Sequence, residues 1–266
     1  MLDPVTTAGR LGLAALLGDP QHALVALDYD GTLAPIVHRP EEAVPQAGAV
    51  AVLTELARRV GRVALLTGRP ADVVVALAGL GRVPGLVVLG QYGVQRWEAG
   101  SLVQEPPAPG LVEARVALPV LVDEPGVLVE DKGLSLVVHT RRAADPAEAL
   151  ARLYPAVSAL ATRTGLQLHT GRLVLELRPP GYDKGRALRG LVEGVSSVLF
   201  AGDDLGDLAA FDTVDALRDK GTEGLLVCSD SEEAPEELRS RADIVVPGPP
   251  GVVTLLSELV AELAGA

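Results

Sequence analysis

The 266-residue chain is long enough for one large domain, or for a core domain carrying a smaller one. Its formal net charge of -12 excludes a general affinity for nucleic acid or anionic membrane, so any anion it handles must meet a local basic site. A single cysteine, Cys228 in the apolar stretch "GLLVCS", excludes an internal disulfide framework and fits a buried thiol in a reducing, cytoplasmic setting.

The opening "MLDPVTTAGRLGLAALLGDP" lacks the basic start and long apolar core of a signal peptide and reads as a helix packing on the core. No later apolar run approaches the ~20 residues of a membrane helix. From residue 23 short apolar runs alternate with segments of helical spacing: "ALVALD" then 46–59, "RVALLT" then 70–80, and "LVVLG" at 86–90. The rhythm returns with "YDKGRALRGLVEG", "SSVLFAG", a helix near 205–217, "GLLVCS", a helix near 233–240, "ADIVVP" and a helix near 250–264. Near-continuous Val, Leu and Ala suits strands buried on both faces, and their alternation with helices predicts an α/β fold with a doubly wound, Rossmann-like parallel sheet. Such sheets collect ligands at the carboxyl ends of their strands, where Asp28 and Asp30 fall.

The middle follows another rule. "PPAPG" and "RPPGYDKG" bracket it, which predicts a core of residues 1–108 and 182–266 with a small α/β domain, 109–181, inserted as a cap. Inside it, Leu134, Leu136 and Val138 alternate with Ser135, Val137, His139 and Arg141, and Leu173, Leu175 and Leu177 with Arg172, Val174, Glu176 and Arg178. Glu130 and Lys132 share a face of "VLVEDK". These patterns predict a small antiparallel sheet with one apolar face under helices and one polar face, which pattern alone leaves as either solvated or ligand-binding.

Four strand ends of the core carry chemistry: Asp28 and Asp30; Thr67 and Gly68; Lys184 opening a helix; and Asp203, Asp204 and Asp207 after "SVLFAG". Each alone is ordinary turn or cap chemistry, but the set is hard to read as decoration. Lys184 gains weight because only Lys132, Lys184 and Lys220 are lysines among 23 basic residues. Carboxylates from two strand ends can hold magnesium, which prefers oxygen ligands and keeps a place for a substrate phosphate. A carboxylate there can attack phosphorus and split one hard displacement into two. Thr67 and Lys184 would bind the transferring oxygens, Asp30 would act as acid and base, Gly31 would permit the sharp turn, and Thr32 would orient the acid or cap the segment after it.

"DYDGT", "LLTGR", the lone lysine of "DKG" and "GDDLGD" resemble, in order and spacing, the four motifs of the haloacid dehalogenase superfamily of phosphohydrolases. That resemblance implies Asp28 as nucleophile and metal ligand, Asp30 as acid/base and metal ligand through its carbonyl, Thr67 and Lys184 as phosphate binders, and Asp203 as a further metal ligand. Thr32, Gly68, Arg69, Asp204 and Asp207 would support them. Within the superfamily, "DYDGTLAPIVHRPEEA", "VEDKGLSLVVHTR" and "GRLVLELRP" are similar to segments of the trehalose-6-phosphate phosphatases. The finer resemblance implies Glu130, Lys132, His139, Arg141 and Glu176 as sugar-binding residues of a cap that closes over the site. It also implies Mg2+ as cofactor, trehalose 6-phosphate as substrate, a trehalose-6-phosphate synthase as supplier, and a monomer.

"GQYGVQRW" departs from the family pattern at Gln91 and Tyr92, and Thr140 stands where a tyrosine is common. Neighbouring substrates stay open on that account: sucrose phosphate, a glycosyl phosphoglycerate or a pseudo-disaccharide phosphate. A receiver module would leave Asp30 and the inserted domain without a role, and a non-catalytic sugar-phosphate binder would leave a full reactive set idle. The histidines His22, His38, His139 and His169 lack metal-ligand spacing, and His22 and His38 read as surface or packing residues. Trp97 and Tyr92 read as packing, "SDSEEAPEELRSRAD" as a capped, solvated helix, and Leu205, Leu208 and Phe211 as one buried helix face.

Overall fold

The computed structural model describes residues 2–37, 39–171, 173–231 and 234–265. His38, Arg172 and the glutamates of the run at 231–233 thus lie outside the described residues. The chain folds into two compact units, Met1–Val103 with Asp183–Ala266, and Gln104–Tyr182.

In chain order come α1 (Thr7–Gly18), β1 (Ala23–Leu27), α2 (Ala49–Leu56), β2 (Arg62–Leu66), α3 (Ala71–Ala78), β3 (Val87–Gly90), β4 (Gln95–Glu98) and β5 (Ser101–Gln104). Next are α4 (Pro109–Leu121), β6 (Leu128–Asp131), β7 (Leu136–His139), α5 (Pro146–Thr164), β8 (Gln167–Gly171) and β9 (Val174–Arg178). The chain continues with α6 (Lys184–Arg189), β10 (Ser197–Gly202), α7 (Leu208–Arg218), β11 (Glu223–Asp230), α8 (Glu236–Arg241), β12 (Ile244–Pro247) and α9 (Gly248–Gly265).

The described strands of the first unit form one sheet in the order β12-β11-β10-β1-β2-β3-β4-β5. Neighbours from β12 to β3 are parallel, and each connection between them passes through a helix or a longer segment, as parallel pairing requires. β4 instead runs antiparallel to β3, so the sheet is mixed at this edge rather than uniformly parallel. The central strand β1 is buried along its whole length because helices cover both faces. Val25, Leu27, Leu65 and Val227 pack with side chains of α1, α2, α3 and α9, whereas Leu24, Ala26, Phe200 and Cys228 pack with those of α6, α7 and α8. Burial pushes the Cys228 thiol up to about 11, consistent with a core residue rather than a reactive one.

The N-terminal segment is the helix expected of it. α1 lies against the sheet so closely that a Cβ on Gly12 would sit 1.8 Å from the Gly224 carbonyl. Thr6 caps the helix and hydrogen-bonds Asp243, which also accepts from the Leu226 amide at 2.7 Å and pairs with Arg218. Leu205 corrects the expected helix face: it belongs to a 3-10 turn before α7 and is 63% exposed, while Phe211 is buried. Among the described residues, no helix is long and apolar enough to cross a membrane.

The second unit is an antiparallel sheet in the order β6-β7-β9-β8. Leu136, Val138, Leu175 and Leu177 form its apolar face and pack against Leu111, Ala114 and Leu118 of α4 and Leu153, Val157 and Leu160 of α5. The opposite face pairs Glu130 with Val137 and Val137 with Glu176, so residues from three strands align across it. The alternation stops earlier than the sequence implies. β7 ends at His139, Thr140 turns inward to donate to the Pro146 and Leu173 carbonyls, and Arg141 stands exposed in the following turn.

Candidate active site

The functional side chains sit where strands of the large sheet stop. β1 delivers Asp28, whose amide still bonds the Ala201 carbonyl at 2.9 Å and so keeps the ladder with β10 in register past the strand end. The chain then turns back on itself: the Gly31 amide donates to the Ala34 carbonyl at 2.7 Å, and the Leu33 and Ala34 amides bond the Tyr29 carbonyl. Gly31 is demanded twice. Its φ is +80°, and a Cβ there would lie 2.0 Å from Asp203 Oδ2. Ser229, buried at the end of β11, donates from Oγ to the Gly31 carbonyl at 2.7 Å and fixes the turn from the other side. Sequence reasoning missed Ser229; its one signal is a hydroxyl in an otherwise apolar strand.

Lys184 opens α6 behind the N-cap Asp183 and is buried. Its ammonium lies 2.7 Å from Asp28 and 2.7 Å from Asp207. Burial works against that charge, yet Asp207 and Asp28 together hold the ammonium well above the ordinary lysine range. Asp207 also accepts from the Asp203 and Asp204 amides at 3.0 and 3.2 Å, so it locks the strand end after β10 while orienting the lysine. Asp204 is exposed and caps the same turn through the Gly206 amide at 2.9 Å.

Asp28, Asp203 and Asp207 each offer an oxygen within 4.8 Å of the others. Burial raises the Asp28 and Asp207 carboxyls well above the usual range, and it lifts Asp203 to about 7 with help from Asp207 and Asp204. When ionised, three buried carboxylates around one ammonium carry more negative charge than it offsets. The donor set, hard oxygens with an excess of negative charge, fits a divalent metal.

Thr67 follows β2, is buried, and accepts the Arg69 amide on its hydroxyl at 3.1 Å. Arg69 grips both oxygens of Asp30, at 2.6 and 2.8 Å, with its guanidinium 5.9 Å above the Tyr29 ring. Thr32 donates to Asp203 Oδ1 at 3.2 Å, so it orients a carboxylate across the site rather than the adjacent Asp30. The structure therefore brings Asp28, Lys184, Asp203 and Asp207 together, with Thr32 on Asp203, and links Asp30 to Arg69.

On the polar face of the small sheet, His139 Nε2 lies 2.8 Å from Glu130. Glu176 accepts from Ser135 at 2.9 Å and from Lys132 at 3.4 Å, and Arg178 meets His169 at 2.7 Å. Of the five residues expected to read a sugar, Glu130, Lys132, His139 and Glu176 form these pairs, whereas Arg141 does not join them.

A profile of the family described as Trehalose-phosphatase matches residues 26–243. The chain is 37% identical over 228 residues to the trehalose-phosphate phosphatase of Mycobacterium avium (strain 104), a match covering 78% of this chain and 54% of that protein. It spans about half the length of the curated trehalose-phosphate phosphatases it matches. The C-terminal domain of a C. albicans trehalose-6-phosphate phosphatase superposes with a TM-score of 0.79 at 20% identity, covering 97% of this chain and 98% of that one. A haloacid dehalogenase-like hydrolase from Bacteroides thetaiotaomicron gives 0.63 at 18%, covering 90% and 99%. These two likenesses show the haloacid dehalogenase-like fold.

Proposed function

The chain belongs to the trehalose-phosphatase family, and from that premise we propose that it is a phosphatase hydrolysing trehalose 6-phosphate to trehalose and inorganic phosphate with Mg2+ as cofactor. The observation that carries the chemistry is the buried meeting of Asp28, Lys184, Asp203 and Asp207 at two strand ends and the start of α6.

Asp28 is the nucleophile. Its carboxylate attacks phosphorus in line, forming an aspartyl-phosphate as the bond to the sugar oxygen breaks. Asp30 gives a proton to the departing oxygen, then takes one from the water that hydrolyses the aspartyl-phosphate. Since Arg69 holds both Asp30 oxygens, one of those bonds must open as substrate enters. Lys184 and the Thr67 hydroxyl bind the phosphoryl oxygens, and Asp207 aims the lysine. Asp28, Asp203 and the Asp30 carbonyl would hold magnesium, which when bound offsets charge on the phosphoryl oxygens.

In this reading the second unit is the cap, and Glu130, Lys132, His139, Arg141 and Glu176 bind the sugar hydroxyls. Pre-formed pairs such as Glu130 with His139 suit that task, because they exchange partners with a hydroxyl at little ordering cost. The chain acts as a monomer in the cytoplasm on substrate delivered by a trehalose-6-phosphate synthase. Rapid acid quench of the enzyme turning over trehalose 6-phosphate, followed by peptide mass analysis, tests the chemistry. A phosphoryl adduct on Asp28 is expected, and an adduct elsewhere would move the nucleophile.

A further inference from the structure

The turn after β3 is unusual in its backbone and in what it touches. Gln91, Tyr92 and Gly93 adopt left-handed conformations in succession, with φ of +47°, +60° and +97°. Two of the three carry side chains, and such residues keep this conformation only where the surrounding structure compensates.

Here the turn contacts both elements that carry the phosphate-binding groups. On one side the Gln91 amide donates to the Arg69 carbonyl at 2.9 Å and the Tyr92 amide to the Thr67 carbonyl at 3.0 Å. The Tyr92 ring covers Gly68, where a Cβ would approach the phenol oxygen to 2.8 Å and Cζ to 2.9 Å. On the other side Gly93 faces α6, where a Cβ would lie 3.1 Å from that of Ala187, one helical turn after Lys184. Just beyond the turn, Gln95 accepts the Ala71 amide at 2.9 Å and ties down the end of the same loop.

We infer that this turn is a spacer that sets the separation of Thr67 from Lys184, with Tyr92 as its positioning residue. The ring takes the volume that a side chain at position 68 would occupy, so the loop of Thr67 and Arg69 cannot shift toward it. One loop displacement would misdirect two groups, since the Thr67 hydroxyl meets the phosphoryl group and Arg69 restrains Asp30. The inference rests on the proposed binding of phosphoryl oxygens by Thr67 and Lys184.

Tungstate, a phosphate mimic, titrated calorimetrically into the magnesium-loaded full chain tests it, alongside kinetics on p-nitrophenyl phosphate. Tyr92→Asn keeps a residue that tolerates the left-handed region but removes the ring. It should weaken tungstate binding about tenfold and lower kcat by more than it raises KM, with an unchanged melting temperature. Tyr92→Phe, which keeps the ring, should restore tungstate affinity, and Gly93→Ala, pressed against Ala187, should weaken it. Thr67→Ala is the reference and should weaken tungstate as well. Wild-type affinity in Tyr92→Asn beside a weakened Thr67→Ala would overturn the positioning role alone. Wild-type affinity in Thr67→Ala would overturn the phosphate-site reading and this inference with it. A loss in Tyr92→Asn that Phe fails to restore would also overturn it, because the ring would then not be what positions the loop.

Discussion

Gly31→Ala is the sharpest structural perturbation of the site, because one methyl group acts on two elements of it. At φ +80° the new residue pays about 1–2 kcal/mol for a left-handed backbone. Its Cβ would lie 2.0 Å from Asp203 Oδ2 and 2.3 Å from Cγ, against an ordinary contact of at least 3.4 Å. Asp203 must therefore retreat by more than about 1 Å, which breaks its 3.2 Å bond from Thr32 and moves it off the position facing Asp28. A displacement of that size costs on the order of a hundredfold in kcat. The backbone strain lowers the melting temperature by about 2–8 °C for a unit of this size. Phosphate release at saturating substrate, repeated across a magnesium titration, measures the first effect, and thermal denaturation the second. Expected are a much lower kcat and a magnesium midpoint shifted to higher concentration. Turnover within about twofold of wild type at the same midpoint would refute the placement of Asp203 as a metal ligand.

Lys184→Met should remove turnover and cost about 3–5 kcal/mol in urea denaturation, because Asp28 and Asp207 lose the one buried cation between them; unchanged stability would contradict that pairing. The metal-free chain should lose stability with rising pH: Asp203, raised to about 7 from an ordinary 3.8, keeps a proton when folded that it loses when unfolded. That contribution is fully present below about pH 4 and is lost as pH rises through about 7, so chelator-treated protein should melt lower near pH 8 than near pH 5.5. Added magnesium should raise the melting temperature most at the higher pH, and a metal-free melting temperature that climbs with pH would contradict the shift. Glu130→Ala should lower kcat/KM on trehalose 6-phosphate at least about tenfold while leaving p-nitrophenyl phosphate hydrolysis nearly intact, and equal losses would mean the small sheet does not read the sugar.

The core was legible in the sequence where burial is two-sided. "ALVAL" and "VLFAG" are apolar throughout because helices cover both faces, and the first polar residue after each run, Asp28 and Asp203, marks the strand end where ligands collect. One-sided or exposed strands left weaker marks. β5 is exposed along its length and β4 carries the surface pair Arg96 and Glu98, so neither shows an apolar run, and both went unread. In the second unit α4 and α5 contain Pro119 and Pro155, which hid their extent even though the apolar strand faces called for covering helices. The period-two pattern that put Arg141 on the polar strand face runs past the point where β7 ends and Thr140 turns inward, and the helical period that put Leu205 on a buried face runs back across a 3-10 turn. Two of the site's pairings lay beyond any local pattern: Arg69 on Asp30 and Thr32 on Asp203 join residues distant in sequence, and only the sheet order brings them together.

In this enzyme a generic phosphoryl-transfer site is proposed to serve one sugar phosphate. The direct test is kcat/KM with magnesium for trehalose 6-phosphate, sucrose 6-phosphate, glucose 6-phosphate and a glycosyl phosphoglycerate. A preference of about a hundredfold or more for trehalose 6-phosphate, equivalent to roughly 3 kcal/mol of transition-state discrimination, is the predicted result. Comparable rates on all four, or a clear preference for another member, would contradict it.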